Sequence, residues 1–334
     1  DLQTAGPDSC RQIELKSRIL ENDEFARFKL AGDKGFNSIT LSMVFPAGSG
    51  GAGLEKALDE LFRSASRAVD AGAKILILSD RGIDKDSVAI PSLLATAGLH
   101  HHMIRSGRRT KVGIIVESGE PRETHHMALL VGYGANAGNP DGAGETRDDR
   151  GLRGLLPGDK MDHAKAVKNY IKACNKGIVK IMSKMGISTI QSYRGAQIFE
   201  ALGLGSSLID RYFTWTPSRI EGIGLDEVAT EVQMRHDAAF KARLAKPADL
   251  DWGGRYKWRR EGEAHLMAPE NLALLQHAVN KGDYKLFKQF TKKVNEQDER
   301  LLTLRGLVKF KDGLRQPVPI EEVEPVSESF KRVT

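Results

Sequence analysis

Lys74-Ile75-Leu76-Ile77-Leu78-Ser79-Asp80 is the stretch that decides the fold. Four large apolar residues run without interruption and end in a polar pair. A strand with no alternation has no solvent face, so it must lie inside a sheet covered on both sides. Lys111-Val112-Gly113-Ile114-Ile115-Val116-Glu117 repeats the pattern downstream. Upstream, Ser38 to Phe45 alternates polar and apolar until Pro46 and reads as a strand. Between the strands Leu54, Leu58, Leu61, Phe62, Ala65 and Val69 recur at helical spacing up to Gly72. Pro91 opens a second helix, Ser92 to Ile104, closed near Gly107. Pro121 opens a third, through Ala128 to Val131, closed by Gly132 and Gly134. Asn136 to Asn139 is a strand stub. Alternating strands and helices require a parallel sheet with right-handed crossovers. A barrel-like form and an open doubly wound form both fit.

The rest of the chain is more helical. Asn22-Asp23-Glu24 starts a short helix around Phe25 and Phe28. A Gly- and Asp-rich connection spans 138–159. A helix follows from about Asp162 to Lys184, with Gly177 as a kink or a break. Lys184 to Ala201 then reads as a Gly-led turn, a β-type run Ile187 to Ile190, a polar break at Ser192 to Gly195, and a helix. Leu208 to Tyr212 and Asp226 to Leu244 are helical. Composition shifts at Lys246-Pro247, which predicts two domains, 1–245 and 246–334. The second is mostly helical and extended. It holds helices at Glu270 to Val279 and Asp283 to Asn295, a short strand at Gly306 to Phe310, and an extended linker at Pro317 to Pro325.

With 334 residues, 40% hydrophobic, the chain can bury a substantial core. The net charge of +6 is spread among acidic residues, and aromatics are only 6%. That excludes a nucleic-acid groove with stacking platforms. Two cysteines, Cys10 and Cys174, exclude a disulfide framework and a cysteine-ligated iron–sulfur cluster within the chain. No apolar run approaches ~20 residues, so no membrane span is expected.

Polar residues at the carboxyl ends of buried strands are the first place to look for chemistry. Asp80 follows one such strand and Glu117 ends the next, and two carboxylates there could share a proton or hold a cation. Against this, Asp80 could hold Arg81 or cap a turn, and Ser118 could cap the following helix. His100-His101-His102 and His125-His126 resemble ligand clusters, but neighbouring helical positions point about 100° apart and cannot converge on one ion. One His from each cluster could still join Asp80 or Glu117, but they read as histidines satisfied where helices meet the sheet, and no metal site is assigned. Gly48 to Gly53 lacks the Lys-Ser/Thr ending of a phosphate loop and reads as a loop. Cys174 falls on an apolar helical stripe and reads as inert. Ser188, Gln191, Ser192 and Arg194 form a polar constellation suited to a ligand or a lined passage, or to a self-bonded turn.

Several long stretches, in order, closely resemble the central region of the glutamate synthase large chain. They include Leu76 to Gly82, His100 to His102, Val116 to Glu120, His125-His126, Leu155 to Asp159, Val167 to Ala173, Asn175 to Gly177, Met182 to Gly203 and Thr216 to Asp226. Val294 to Gly306 is similar to the lead-in of that family's FMN barrel. The resemblance implies an α/β fold related to the (βα)8 FMN barrel. It implies an enzyme that releases ammonia from glutamine, passes it internally to 2-oxoglutarate, and reduces the imine to glutamate. FMN, an iron–sulfur cluster and the amidotransferase nucleophile would all lie in other parts of the enzyme, so no catalytic, cofactor or metal residue is assigned here. The implied partners are the amidotransferase and FMN domains, ferredoxin or an NAD(P)H-oxidising small subunit, and further copies in an oligomer. Nucleic acid and membrane are not among them. The implied compartment is the bacterial or archaeal cytoplasm or the plastid stroma. The chain is expected to be an inactive fragment that helps form the ammonia passage; a free-standing α/β scaffold or small-ligand enzyme is the alternative. Asp80, Glu117, Ser188, Gln191, Arg194 and Trp215 are the passage or interface candidates. Two departures stand out. Gly138 to Glu145 lack the family's bulkier apolar groups, which predicts weakened packing over 138–151. Trp215 replaces a usually small residue, often Gly, and would narrow a passage beside it.

Overall fold

A computed structural model describes residues 6, 12–30, 32, 35–143, 163–240, 253–296, 302, 303, 308 and 311–333. The deciding stretch forms β3 (Ile75–Ser79), buried at every position. It lies between β1 (Ser38–Ser42) and β5 (Gly113–Glu117), and β6 (Ala137–Asn139) completes a parallel four-stranded sheet in the order β1-β3-β5-β6. A parallel bridge from Ile19 to Gly138 extends the β6 edge. The order never reverses. A doubly wound sheet needs a reversal, so the described strands form a singly wound open sheet, the winding of a barrel segment.

Single winding explains the two apolar faces of the strands. Leu76, Leu78, Ile114 and Val116 pack with Leu54, Leu58 and Phe62 of α2 (Gly50–Asp70) and Leu94 and Leu99 of α3 (Ser92–Arg105). Ile75, Ile77, Ile115 and Ala137 face the other way, onto Leu20 and onto Phe25 of α1 (Asn22–Lys29). The alternation of one strand thus feeds two cores.

The sequence expectations change in several places. The strand expected over Ser38 to Phe45 breaks at Met43, and β2 (Val44–Pro46) pairs antiparallel with β4 (Ser87–Ala89). The loop expected over Gly48 to Gly53 is already helical from Gly50. Helix α4 (Thr124–Gly132) follows β5, and α5 (His163–Lys184) runs unbroken through Gly177. A Cβ on Gly177 would sit 2.1 Å from Thr124 Cγ2, so this glycine allows α4 and α5 to touch rather than kinking the helix. Ile187 to Ile190 is not a strand. Thr189 caps the short helix α6 (Ile190–Tyr193), whose Tyr193 hydroxyl donates to the Ala128 carbonyl at 3.0 Å. No helix begins at Gly195; residues 196–200 are irregular. Helices α7 (Ser206–Tyr212) and α8 (Leu225–Phe240) follow.

The described part of 138–151 is packed, not weakened. Leu20 N donates to Gly138 O at 2.9 Å, and the buried Asn139 amide donates to Leu20 O at 3.1 Å and Asn22 Oδ1 at 2.9 Å. Residues 144–151 lie outside the described residues.

The chain divides into two compact units, Asp1–Lys246 and Pro247–Thr334. In the second, α9 (Pro269–Lys281) begins on a proline and ends at Gly282 in the left-handed region, φ 64°. Asp283 then caps α10 (Tyr284–Asn295), accepting from Lys285 N at 2.8 Å and Leu286 N at 3.2 Å. The stretch expected to be extended holds a 3₁₀ turn, Ile320–Glu322, and ends in a helix the sequence did not suggest, α11 (Val326–Val333). Most of the strand expected over Gly306 to Phe310 lies outside the described residues. No described helix is long and apolar enough to cross a membrane.

Candidate functional site

The strand ends of one sheet sort the candidate residues into two groups. At the carboxyl edge β3, β5 and β6 deliver Ser79-Asp80-Arg81, Glu117-Ser118 and Asn139 with Asp141. Register pairs Ser79 with Glu117 and Glu117 with Asn139. Glu117 is buried and accepts from Ser79 Oγ at 2.6 Å, from Lys29 Nζ at 3.2 Å and from Arg81 Nε at 3.3 Å. Arg81 Nε also lies 3.0 Å from Asp141 Oδ2, so one guanidinium bridges two strand ends.

Asp80 points into the same edge. It accepts from Ser118 Oγ at 2.6 Å and from Gly119 N at 3.1 Å. Ser118 does not cap α4 as expected; its hydroxyl accepts from Glu120 N at 3.1 Å and shapes the turn. Glu120 instead caps the preceding helix, accepting from Ser92 N at 2.6 Å and Ser92 Oγ at 2.7 Å where α3 begins. Burial, reinforced by the nearby Asp141 and Glu120 charges, raises the Asp80 carboxyl to about 6 despite its two donors. Asp80 is therefore poised to change charge near neutral pH. Its geometry is that of an anchor between turns: from the turn after β3 it holds the turn after β5.

Gln191 and Arg194 belong to the opposite edge. Arg194 donates to Gln191 Oε1, and both line a cleft of about 810 Å³ beside the amino ends of β3 and β5. The sequence reading missed the residues that build this cleft with them. Arg109, in the turn before β5, donates to His100 Nδ1 at 2.9 Å, Val112 O at 2.8 Å, Gly134 O at 2.6 Å and Asn136 Oδ1 at 3.3 Å. Arg18 donates to Asn136 O at 3.2 Å. Three distant segments thus meet through one asparagine. Ser188 lies apart on an exposed loop.

The histidines serve the scaffold. Burial and the Arg109 charge push His100 down to about 3, so it stays neutral and accepts from that guanidinium. His101 is pushed down to about 4 by burial and Arg105. His102 pairs with Ser66 Oγ at 2.9 Å and stacks on Phe62. Among the described residues no group of His, Cys, Asp and Glu is arranged to hold a metal ion. Cys174 is buried beside Ile178 and Met127.

Trp215 is 80% exposed and has φ 68°. Only glycine adopts that backbone without strain, which explains why a small residue suits the position. Trp215 is not among the residues that line the cleft.

The sequence profile of the family described as "Glutamate synthase central domain" matches residues 1–205. The glutamate synthase (NADPH) large chain of Bacillus subtilis is 43% identical over 332 residues, covering 99% of this chain and 21% of that one. The glutamate synthase (NADH) of Saccharomyces cerevisiae is 38% identical over 333 residues, covering 97% and 15%. The chain therefore spans about a fifth or less of the length of these relatives. Among solved structures, a flavocytochrome b2 variant with benzoylformate aligns with 57% of this chain and 40% of its own at 14% identity and a TM-score of 0.32, too distant to carry an argument.

Proposed function

Because the chain belongs to the glutamate synthase central domain family, we propose that it is the connecting, ammonia-channelling part of a glutamate synthase large chain. The whole enzyme would convert L-glutamine and 2-oxoglutarate into two L-glutamate with electrons from ferredoxin or NAD(P)H. The observation that carries this reading beyond the family match is the carboxyl edge. A free-standing α/β enzyme keeps its reacting groups there. In this chain Glu117, Asp141 and Asp80 are spent on Ser79, Lys29, Arg81 and Ser118.

The cofactors of such an enzyme do not fit this chain. A cluster needs three or four thiolates, and the sequence has two cysteines, of which Cys174 is buried among apolar side chains. A flavin phosphate at the carboxyl edge would meet Asp80, Glu117, Glu120 and Asp141. FMN and the cluster are therefore assigned to other domains of the large chain, which are the domain's natural partners. Ser188, Gln191, Arg194 and Trp215 are the groups that would face those domains or the passage.

Denaturing mass spectrometry of the polypeptide from its source tests the reading. A mass several times the 36.7 kDa of this chain is expected. A mass near 36.7 kDa would leave it a separate α/β protein and overturn the assignment.

A further inference from the structure

We propose that the cleft at the amino edge of the sheet binds a small oxyanion, a phosphate ester or a dicarboxylate. Its volume of about 810 Å³ falls in the usual range for small-ligand sites, roughly 300–1,000 Å³. Arg18, Lys74, Arg109, Lys111 and Arg194 line it, and no Asp or Glu does among the described residues. Like charges gathered in one partly buried place repel and lose hydration, and an anion between them relieves both costs.

The arginines divide the task. Arg109 makes all its bonds to neutral acceptors: His100 Nδ1, the Val112 and Gly134 carbonyls, and Asn136 Oδ1. Its position is fixed and its charge is left uncancelled. Burial and the Arg194 charge push it down to about 10. Arg18 gives one bond, to Asn136 O, and Arg194 one, to Gln191 Oε1. No described residue takes their remaining N–H groups, which leaves these available to a ligand. Burial also lowers both pKa values, and the Arg18 charge lowers that of Arg194 further, which is the signature of two guanidiniums facing one space. Paired guanidiniums fork the oxygens of carboxylate or phosphate. Phe28, Phe36, Ile13 and Leu15 supply an apolar wall for the ligand's body.

The test uses the complete natural polypeptide, as wild type, as the double variant Arg18→Gln/Arg194→Gln, and as Arg194→Lys. Inorganic phosphate and glutarate are titrated separately by calorimetry at constant ionic strength. Other anion sites in the polypeptide appear in all three proteins, so the readout is the site that differs. The expected result is one saturable site for at least one probe, weakened about tenfold or more in the double variant and less in Arg194→Lys, which keeps the charge but loses the fork. The probe that binds tells phosphate from carboxylate. Thermal melting of the free double variant at or above the wild-type temperature is expected, since repulsion is removed. Should the double variant not fold, Arg194→Lys alone decides. Titrations identical in wild type and Arg194→Lys would overturn the proposal, as they would if another segment of the polypeptide fills the cleft.

Discussion

At the carboxyl edge of the sheet, Glu117 meets Ser79, Lys29 and Arg81 at distances of at most 3.3 Å; at the amino edge, Arg109 meets only neutral acceptors. Both edges border the same buried strands, β3 and β5, yet they treat charge differently. The carboxyl edge closes on itself, with Arg81 spanning Glu117 and Asp141. The amino edge holds Arg109 in place and leaves its charge uncancelled. Carboxyl ends of parallel strands usually carry function. The comparison teaches that in this domain the usual site has become a structural clasp, while unspent binding capacity sits at the other end.

Four substitutions would sharpen or break that contrast. Arg109→Met should have the largest effect. It strands His100 Nδ1 and two carbonyls, leaves Asn136 Oδ1 with Ile114 N alone, and should cost about 3 kcal/mol in urea unfolding. A loss below ~1 kcal/mol would show that the amino edge is not held by this residue.

Asp80→Asn should act in the opposite direction. The folded carboxyl titrates at about 6, above its ordinary value of 3.8. The folded protein therefore holds this proton more tightly than the unfolded chain. The associated stability is complete below the unfolded value and is lost as pH rises through about 6. The neutral amide escapes that loss while keeping an acceptor for Ser118 Oγ and Gly119 N. Unfolding at pH 8 should show the variant more stable by about 2 kcal/mol. Its advantage should shrink steadily on acidification to pH ~4.5. A constant difference between the two pH values would mean that Asp80 is not the titrating group.

Glu117→Gln should cost about 1–2 kcal/mol, because Lys29 and Arg81 lose a shared partner but are half exposed and recover water. An unchanged midpoint would mean the clasp contributes nothing. Trp215→Gly, away from both strand edges, should stabilise by about 1 kcal/mol by relieving the left-handed backbone. Destabilisation would show that the exposed indole has a packing role within the chain.

Much of the sheet was legible because its strands carry a one-dimensional signal. Ile75 to Leu78 and Ile114 to Val116 are apolar at every position, and burial on both faces follows directly. Asp80 and Glu117 became candidates by the same logic, two residues and one residue past the apolar runs. The turn around Ile187 to Ile190 misled because its isoleucines are apolar for another reason. They pack against the cluster of Met127, Cys174 and Tyr193, while Thr189, a good strand former, serves as a helix cap. Gly177 looked like a helix breaker because its contact, Thr124, lies in another helix. Arg18 and Arg109 left no local trace at all. Their pairing with Arg194 exists only through Asn136 and the fold that brings four segments to one edge.

The most direct test of the connecting role is the stoichiometry of the complete polypeptide. Glutamine consumed and glutamate formed would be measured together, with wild type and with Trp215→Gly, and again with ammonia replacing glutamine. Trp215→Gly should consume less glutamine per glutamate formed, while the ammonia-supported rate is retained. An unchanged ratio would contradict a passage or domain contact at this turn. Loss of the ammonia-supported rate would place the residue in the chemistry instead of the connection.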